Sequence, residues 1–412
     1  MEKPALYGGK PTKTTPYGTG KRFGAEELEN LKEALEQNTL FYWKGNMTKR
    51  LCEKFARMYG VEYAVASSSG TASVHIALGA VGIRPGDEVI TTPITDMGTI
   101  VGIIYQNAIP VFADLDPHTY LMTATEIEKK ITKRTKAIIV VHLAGCACEM
   151  DEILALAKKH GIAVIEDCAQ SYGTRYKGRL VGTIGDIGCF SLNDFKHISA
   201  GDGGIVITNN KDYYHKALMF SDKNYNRLGA EVVKSVPLIA PNYRMNELTA
   251  AVGLAQLDRV DGICTRRHLL GERLGEGLRG IKGVYAHEVS PNCYSSYWFY
   301  MIRINEEELG ASREEFVKAL NAEGILASAG YIPCCVYQYD MFKKRTAFSP
   351  DMNFPFDGTH GAPIEYKDGD CPNAEAILKD CIKMVVNEFH TEEDIDDTVN
   401  AIRKLVNYFQ NR

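Results

Sequence analysis

The sequence lacks the long apolar run that a membrane helix requires, because no stretch approaches about 20 consecutive apolar residues. The first 30 residues also lack the apolar core of a signal peptide. None of the eleven cysteines forms a CxxC pair, and their number is odd. Scattered thiols of this kind are typical of a reducing cytosol rather than of a disulfide framework. These absences predict a soluble, cytoplasmic protein that does not bind membranes.

The sequence also has no strong excess of either charge. Its 47 Lys and Arg residues and 52 Asp and Glu residues give a formal net charge of −5. So mild an acidic balance disfavours a nucleic-acid-binding protein, which needs clustered basic residues. With 412 residues, 45% of them hydrophobic, the chain is long enough for two domains with a sizeable core. We therefore expect a two-domain α/β protein.

Short apolar strands alternate with amphipathic helical segments between about residues 50 and 210. The predicted strands span 61–66, 88–91, 110–113, 136–142, 162–166, 188–191 and 204–208, and helices such as 71–80, 125–131 and 150–159 lie between them. This alternation is typical of βαβ units and a mostly parallel sheet. Ligands bind such sheets beyond the carboxyl ends of the strands, so the residues that follow each strand are candidates for the site.

The two ends of the chain differ from this central pattern. The first 45 residues form a Gly/Pro/Thr-rich arm and a helix over 25–37, which we expect to pack on the second domain. Beyond residue 262, predicted helices over 265–278, 312–323, 373–386 and 392–409 surround a strand over 298–304, and 349–372 is a long loop. We therefore divide the chain into an arm with its helix (1–45), a large domain (46–262) and a small domain (263–412).

Three segments carry residues with chemical potential. The first, Ser67 to Ala72, follows a strand and opens a helix. Its small residues let backbone N–H groups and hydroxyls approach an anion, whose charge the helix dipole stabilises. An ordinary polar helix cap would have a similar sequence. A Walker A loop is excluded because no Gly-Lys-Thr/Ser follows.

The second segment ends the predicted strand 162–166 with Glu166 and Asp167. Because side chains alternate along a strand, these two carboxylates point to opposite faces. Asp167 is better placed to face a ligand, where it could keep a heteroaromatic nitrogen protonated, as in a pyridoxal ring. The alternative is an aspartate that caps the next helix.

The third segment contains Lys196, between Ser191 and the glycines of 201–204. A lysine amine is a nucleophile only when deprotonated, which a partly desolvated pocket favours. A lone lysine is usually a solvated surface charge. Here, however, an anion-binding loop, a strand-end acid and a lysine occur in that order within one doubly wound domain.

That order and its local motifs resemble the DegT/DnrJ/EryC/StrS family of sugar aminotransferases, which are fold-type-I enzymes that use pyridoxal 5'-phosphate. The resemblance extends from LYGGKP at 6–11 to HTEEDID at 390–396. The motifs between these ends are SSSGTAS at 67–73, RPGDEVITTP at 84–93, PVFADLDPHTY at 110–120, VHLAG at 141–145, EDCAQSYGTRYKGRLVGTIGDIGCFS at 166–191, NYRMNELTAAVGLAQL at 242–257 and CPNAEAI at 371–377.

The resemblance implies an aspartate aminotransferase-like fold, with a mostly parallel central sheet in a large cofactor-binding domain and a smaller α/β C-terminal domain. It also implies that Lys196 bonds to the cofactor and carries a proton between its C4′ atom and the donor carbon. Asp167 would pair with the pyridine nitrogen, and Gln170 would lie against the ring. A metal is not implied, and the pairs Cys146/Cys148 and Cys334/Cys335 lack the spacing of a zinc site.

The same resemblance implies that Gly70, Thr71 and Ser191 hold the cofactor phosphate. Asn242 would reach the phosphate of a neighbouring subunit, which makes the protein a homodimer with shared active sites. Arg244, in the same motif, is either a contact for a substrate carboxylate or part of a structural ion pair.

Two features of the sequence bear on the reaction. Many relatives carry an aromatic residue on the outer face of the cofactor ring, where this chain offers Asp96 or Met97. A dehydratase branch has histidine at the lysine position, whereas here Lys196 occupies it and His197 follows. This difference favours transamination over deoxygenation.

Aromatic residues at 297, 298 and 300 are expected in the core of the second domain, and Tyr331 could meet a substrate. The predicted activity is transfer of an amine from L-glutamate or L-glutamine to a keto-sugar, nucleotide-linked in most of the family, by a ping-pong mechanism. Alternative acceptors are a keto-cyclitol of the scyllo-inosose type or an aminodihydroxybenzoate precursor. A non-catalytic cofactor-binding regulator and a nicotinamide-dependent oxidoreductase are the alternatives from other classes.

Overall fold

The computed structural model describes residues 2–228, 236–361 and 363–412. Its strands, in chain order, are β1 (Tyr63–Ser67), β2 (Glu88–Thr91), β3 (Ile109–Phe112), β4 (Thr135–Val141), β5 (Ala163–Asp167), β6 (Arg175–Tyr176), β7 (Arg179–Leu180), β8 (Ile187–Ser191), β9 (Gly204–Thr208), β10 (Val284–Ala286), β11 (Cys293–Tyr294), β12 (Tyr300–Ile304), β13 (Ala327–Ala329) and β14 (Cys381–Met384).

The α-helices are α1 (Ala25–Glu36), α2 (Met47–Tyr59), α3 (Gly70–Val81), α4 (Val101–Tyr105), α5 (Ala124–Glu128), α6 (Met150–His160), α7 (Lys211–Ser221), α8 (Glu247–Gln256), α9 (Val260–Leu278), α10 (Glu306–Leu309), α11 (Arg313–Ala322), α12 (Asp340–Lys344), α13 (Pro372–Asp380) and α14 (Glu392–Gln410). None of these helices is long and apolar enough to cross a membrane.

The large sheet has seven strands in the order β1-β9-β8-β5-β4-β2-β3. The five strands from β8 to β3 run parallel, whereas β9 runs antiparallel to both of its neighbours. The mostly parallel sheet predicted from the sequence is therefore confirmed. Its parallel strands place their carboxyl ends at one edge, where the candidate site lies.

Strand β4 shows why this sheet is buried on both faces. Ile138 and Val140 belong to the core that includes α2, α6 and α8. Ile139 and Val141 belong to a separate core with α3 and α7 on the other face. Because successive side chains point to opposite faces, a strand covered on both sides must be apolar at nearly every position.

The second sheet is antiparallel and has the order β10-β12-β14-β13. Helices α9, α11 and α14 pack on it and form its core. The helix predicted over 373–386 is wrong in its second half, because α13 ends at Asp380 and 381–384 forms β14. This strand pairs with both β12 and β13, and such pairing outweighs the helical pattern of a short apolar run.

The boundary between the two cores does not correspond to one point in the chain. Helix α9 belongs to both, since Val260 lies in the large core and Leu274 in the small one. Phe112 on β3 lies 5.6 Å from the ring of Tyr337 and 5.7 Å from that of Tyr366. The segment after β13 thus returns to the large domain before the chain re-enters the small one at β14.

The N-terminal segment contacts both domains. The expectation that the helix over 25–37 packs on the second domain is wrong, since α1 lies against α8 in the large domain. Asn30 Nδ2 donates to the Ala251 carbonyl at 3.1 Å, and Ala34 is buried in the large core. The preceding arm binds the small domain through Lys13 and Gly18.

Lys13 anchors this arm to the start of α14. Its Nζ lies 2.5 Å from Asp394 Oδ1, and the two side chains are only 2% and 3% exposed. Asp394 also accepts hydrogen bonds from the Gly18 and Thr391 amides, at 3.0 and 2.7 Å. Burial alone would raise the pKa of Asp394, but these bonds outweigh it and hold the pKa well below its ordinary value.

We predict that Asp394→Asn lowers the free energy of unfolding by about 3 kcal/mol at neutral pH, because it leaves the buried Lys13 ammonium with only the more distant carboxylate of Asp397, at 3.3 Å. Chemical denaturation measures this change. A matched control is Asp396→Asn on the same helix, whose ion pair with Arg273 is about half exposed. That variant should change stability by less than about 1 kcal/mol.

Because the folded pKa of Asp394 is depressed, its contribution is fully present above the ordinary aspartate pKa of about 3.9 and is lost as the pH falls through the folded value. The difference between wild type and Asp394→Asn should therefore shrink in acid. Equal destabilisation by the Asp394 and Asp396 variants would contradict this account of the arm.

Candidate active site

A cavity of about 240 Å³ opens at the carboxyl edge of the large sheet. It is lined by residues that follow β1, β2, β5 and β8, as expected for a ligand site in an α/β sheet. The lining residues are Ser69, Gly70, Thr71, Val74, Thr95, Asp96, Gly98, Thr99, Asp167, Ala169, Gln170, Ser191, Asn193, Lys196 and Asp202. Six of the seven predicted site residues are in this set, and Asn242 is not.

The start of α3 forms one wall of the cavity. Ser69 caps the helix by accepting a hydrogen bond from the Ala72 amide at 3.0 Å. A Cβ atom at Gly70 would lie 2.6 Å from Ser191 Cβ, so only glycine permits this approach of α3 to the end of β8. The first amides of the helix and the hydroxyls of Thr71 and Ser191 thus lie close together. This arrangement suits a phosphate group.

Asp167 forms the floor of the cavity at the end of β5. It is only 5% exposed, accepts a hydrogen bond from Thr99 Oγ1 at 2.8 Å and accepts another from the Ala169 amide at 3.0 Å. Burial nevertheless raises the pKa of this carboxyl. A buried carboxylate of this kind is stabilised by a cationic partner, such as a protonated ring nitrogen.

Lys196 enters the same cavity from the loop between β8 and β9. Burial lowers the pKa of its ammonium, and the carboxylates of Asp167 and Asp96 oppose that effect. A lower pKa leaves more of the amine neutral near physiological pH and therefore nucleophilic. The next residue, His197, is fully buried and contacts the Ser296 carbonyl at 3.2 Å, outside the cavity lining.

Gln170 is held by contacts at both ends of its amide. Its Oε1 accepts a hydrogen bond from the Ala144 amide at 2.9 Å, and its Nε2 donates to Tyr331 Oη at 3.2 Å. The side chain is therefore fixed beside the cavity. Tyr331 lies in the segment after β13 and packs against the large core, so this contact ties that segment to the site next to Lys196.

Glu166 points to the opposite face from Asp167, as its place in the strand predicts. Its two oxygens accept hydrogen bonds from the Gly182, Ile184 and Gly185 amides at 2.6–2.8 Å and contact His142 Nε2 at 3.0 Å. Burial raises its pKa, but these bonds outweigh burial and hold the pKa below its ordinary value.

His142, Glu166 and Cys168 place potential metal-binding atoms within 4.8 Å of one another. The Cys148 amide donates to His142 Nδ1 at 3.2 Å, so the other nitrogen, Nε2, carries the proton that bonds Glu166. With four donors on two carboxylate oxygens, Glu166 is satisfied without a cation. This cluster is structural and fixes the strand end next to Asp167.

Asn242 and Arg244 lie away from the cavity. Asn242 is exposed and pairs with Asp222 in an isolated β-bridge. Arg244 forms an ion pair with Asp222, which also binds Arg227 and accepts a hydrogen bond from Tyr42 Oη at 2.9 Å. These bonds outweigh burial and lower the pKa of Asp222 to about 2. Of the two roles considered for Arg244, the structure shows the ion pair.

Trp298 corrects the prediction that the aromatic residues at 297, 298 and 300 all belong to the second core. Tyr297 and Tyr300 lie there, but the Trp298 ring centroid lies 3.8 Å from Lys196 Nζ. The sequence does not indicate this contact. Trp298 stands just before β12, between residues of the second core, and nothing in the pattern distinguishes it from them. Only the meeting of the two domains brings it to the lysine.

Asp96 is the residue that lines the cavity where relatives carry an aromatic side chain, and Met97 does not line it. Asp96 caps a short turn by accepting a hydrogen bond from the Gly98 amide at 2.7 Å. Thr99, which bonds Asp167, was missed from the sequence. The rule that ligand residues follow strand ends would have selected the segment after β2 that contains it.

Arg22 holds the lysine-bearing loop from outside. Its guanidinium donates to the Lys196 and His197 carbonyls at 2.6 and 3.3 Å, and it also contacts the Asp194 carbonyl. Gln256 Nε2 in turn donates to the Arg22 carbonyl at 2.7 Å. The N-terminal arm therefore fixes the backbone on both sides of Lys196.

Comparison with known proteins agrees with this geometry. The sequence profile of the DegT/DnrJ/EryC1/StrS aminotransferase family matches residues 21–355. The chain belongs to this family. The resemblance read from its motifs is thereby confirmed, and the protein is an aminotransferase.

Two relatives and one solved structure illustrate the family. GDP-perosamine synthase of Escherichia coli O157:H7 is 39% identical over 302 residues, which are 73% of this chain and 79% of that protein. The spore coat polysaccharide biosynthesis protein SpsC of Bacillus subtilis is 33% identical over 391 residues, 93% of this chain and 95% of that protein. The structure of 3-amino-5-hydroxybenzoic acid synthase has a TM-score of 0.84 at 27% identity and covers 97% of this chain and 100% of that one.

We predict that Arg22→Ala makes the backbone amides of 195–200 exchange with solvent at least about tenfold faster. The reason is that a hydrogen bond to a charged group contributes about 1.5–3 kcal/mol, and tenfold corresponds to about 1.4 kcal/mol. Hydrogen–deuterium exchange with mass spectrometry measures this effect in the aminotransferase.

The matched control is Lys21→Ala, which removes an exposed cation from the neighbouring position. It should leave exchange in the loop unchanged. If the two variants exchanged alike, Arg22 would not be holding the loop.

Proposed function

We propose that this aminotransferase uses pyridoxal 5'-phosphate to move an amine from L-glutamate or L-glutamine to a keto-sugar that is nucleotide-linked, by a ping-pong mechanism. The observation that carries the proposal is the placement of Lys196, Asp167 and the N-terminus of α3 around one cavity. An amine, a buried carboxylate and an anion-binding helix start are the three groups that a pyridoxal phosphate site needs.

The residues present fit this cofactor. Glycine at position 70 lets the start of α3 approach Ser191, since a Cβ atom there would lie 2.6 Å from Ser191 Cβ, and this brings the first helix amides and the Ser191 hydroxyl to one place. Asp167 is a buried carboxylate whose pKa is raised by burial, and a protonated ring nitrogen beside it would stabilise its charged form. Gly70, Thr71 and Ser191 would hold the phosphate, and Gln170 would lie against the ring.

When bound, pyridoxal phosphate supplies an electron-accepting ring and a carbon atom that takes up and releases the amino group. Lys196 would hold the cofactor through its Nζ, and its neutral amine, once free, would carry a proton between the α-carbon of the donor and C4′. Asp167 keeps the ring nitrogen protonated, and Thr99 and the Ala169 amide hold its carboxylate in place. Gln170 stays fixed through Ala144 and Tyr331.

A complete site requires two copies of the chain in this proposal. Asn242 is exposed and outside the cavity of its own subunit, which suits a contact with the cofactor phosphate of the other subunit. We therefore propose a homodimer with shared active sites. The eleven cysteines are free thiols, and eight of them are buried, which suits a reducing cytoplasm.

The acceptor is proposed from the relatives. The E. coli relative is named for a nucleotide-linked amino sugar, and the B. subtilis relative for polysaccharide biosynthesis. The similar solved structure is named for an aminohydroxybenzoic acid, so a carbocyclic ketone is the second candidate. The E. coli relative has the higher sequence identity, 39% against 27%, which makes the nucleotide-linked sugar the first candidate.

We predict that the purified protein with cofactor shows a visible absorption band, and that borohydride reduction then fixes the cofactor to the peptide that carries Lys196. L-Glutamate or L-glutamine should bleach the band before reduction. Lys196→Ala should lose both the band and turnover, because no other lysine is among the described residues that line the cavity. Lys211→Ala on α7 is the matched control and should behave as wild type. A Lys196→Ala protein with normal turnover would overturn the assignment.

Asp167→Asn, in the same experiment, distinguishes attachment of the cofactor from the rate of turnover. It should still attach the cofactor at Lys196 but lose at least about a hundredfold in rate, since an uncharged partner stabilises the protonated ring nitrogen less. A hundredfold corresponds to about 2.7 kcal/mol. If the protein never bound the cofactor, the proposed function would be wrong, and only the fold and the family assignment would stand.

We predict that a GDP-linked keto-hexose is aminated with a kcat/KM at least about tenfold above that of scyllo-inosose. The reason is that binding energy from the nucleotide part of a substrate can stabilise the transition state at the distant ketone. Mass spectrometry of the products, with each amino donor in turn, measures both values. If the enzyme preferred scyllo-inosose, the proposed acceptor would instead be the second candidate, a carbocyclic ketone.

A further inference from the structure

The ring of Trp298 lies against the Lys196 amine. Its centroid is 3.8 Å from Nζ, within the range of a cation–π contact. In the part of the chain that the structure describes, the amine forms no hydrogen bond and no salt bridge. The indole face is therefore the group that the free amine contacts.

The indole is held rigidly in that position. Its Nε1 donates to the Phe195 carbonyl at 2.7 Å, which belongs to the residue before Lys196. The Trp298 amide donates to the Ala144 carbonyl at 2.9 Å, and Arg267 Nη1 donates to the Trp298 carbonyl at 3.0 Å. The backbone is thus fixed on both sides, and the ring cannot turn away from the lysine without breaking its bond to the Phe195 carbonyl.

We propose that Trp298 is a positioning residue, which holds the Lys196 amine against its indole face when that amine is not bonded to the cofactor and stabilises its protonated form. The proposal depends on the proposed function only for the statement that Lys196 is released during turnover. The contact itself, and the test below, concern the protein without cofactor.

The alternative for a free ammonium would be an ion pair with a carboxylate of the cavity. Asp167, Asp96 and Asp202 all line it. An ion pair with Asp167 would occupy the carboxylate that the ring nitrogen needs. A cation–π contact holds the amine in place and stabilises its charged form, yet leaves Asp167 free.

Several charged groups surround the amine and set the sign of the expected effect. Asp167 and Asp96 favour its charged form, burial opposes it, and the Arg22 guanidinium lies on the backbone of the same loop. Tyr331 packs beside Trp298, at 6.1 Å between ring centroids. Removing the indole face should therefore make the amine lose its proton at lower pH, with all other groups unchanged.

The first test uses tryptophan emission, because the chain has only two tryptophans, Trp43 and Trp298. In the full-length Trp43→Phe protein without cofactor, emission comes from Trp298 alone. We expect it to titrate with a single midpoint as Lys196 loses its proton. Lys196→Met in the same background should abolish this titration. Emission that titrates identically in both proteins, or in neither, would overturn the proposal.

The second test separates the aromatic face from the indole hydrogen bond. Trp298→Phe and Trp298→Leu both lose the bond to the Phe195 carbonyl, but only Phe keeps an aromatic face. The rate of Lys196 acylation, followed by peptide mass spectrometry across pH, reports the neutral amine. We expect the midpoint to move to lower pH in Trp298→Leu and to be largely restored in Trp298→Phe.

A purely structural role would raise the plateau rate in both variants without moving the midpoint, and that result would overturn the proposal. These readouts do not require aminotransferase activity. A protein that fails the titration while still transferring amines would refute only the role of Trp298. A protein that passes it without binding pyridoxal phosphate would refute only the proposed function.

Discussion

Two consecutive carboxylates end β5, and the candidate site depends on their separation to opposite faces of the sheet. Glu166 receives four donors and is fully satisfied within the protein. Asp167 receives two, and burial raises its pKa. The first carboxylate therefore stabilises the strand end, while the second keeps a capacity for a cation. If Glu166 faced the cavity and Asp167 received the four donors, the cavity would lack an available carboxylate at this position.

Much of the large domain was predictable because its constraints are local. The strands and α3 follow from apolar runs and a polar helix start, and the site residues at 70, 167 and 196 follow from their places after strands. The resemblance to a known family added Gln170 and Asn242. Six of the seven predicted site residues line one cavity, but their roles in binding the cofactor stay predictions.

The parts that were missed depend on contacts between distant segments. Strand β14 forms because it pairs with β12 on one side and β13 on the other. The helical spacing of apolar residues in 373–386 gives no sign of this pairing. Trp298 reaches Lys196 only because its backbone is bonded to Ala144 across the domain boundary. Helix α1 binds the large domain, whereas the arm before it contacts the small domain through Lys13 and the large domain through Arg22, so no single segment of sequence specifies where either one lies.

The arm has a consequence for the order in which the protein matures. Lys13 and Asp394 are 381 residues apart, so the segment that leaves the ribosome first must wait for the final helix, α14, to be made. The large domain can assemble earlier, as N-terminal domains do during synthesis. Arg22 follows directly on this arm and fixes the loop of the nucleophile. An unfinished chain thus contains every residue that lines the cavity but lacks the Asp394 carboxylate that anchors the N-terminal arm.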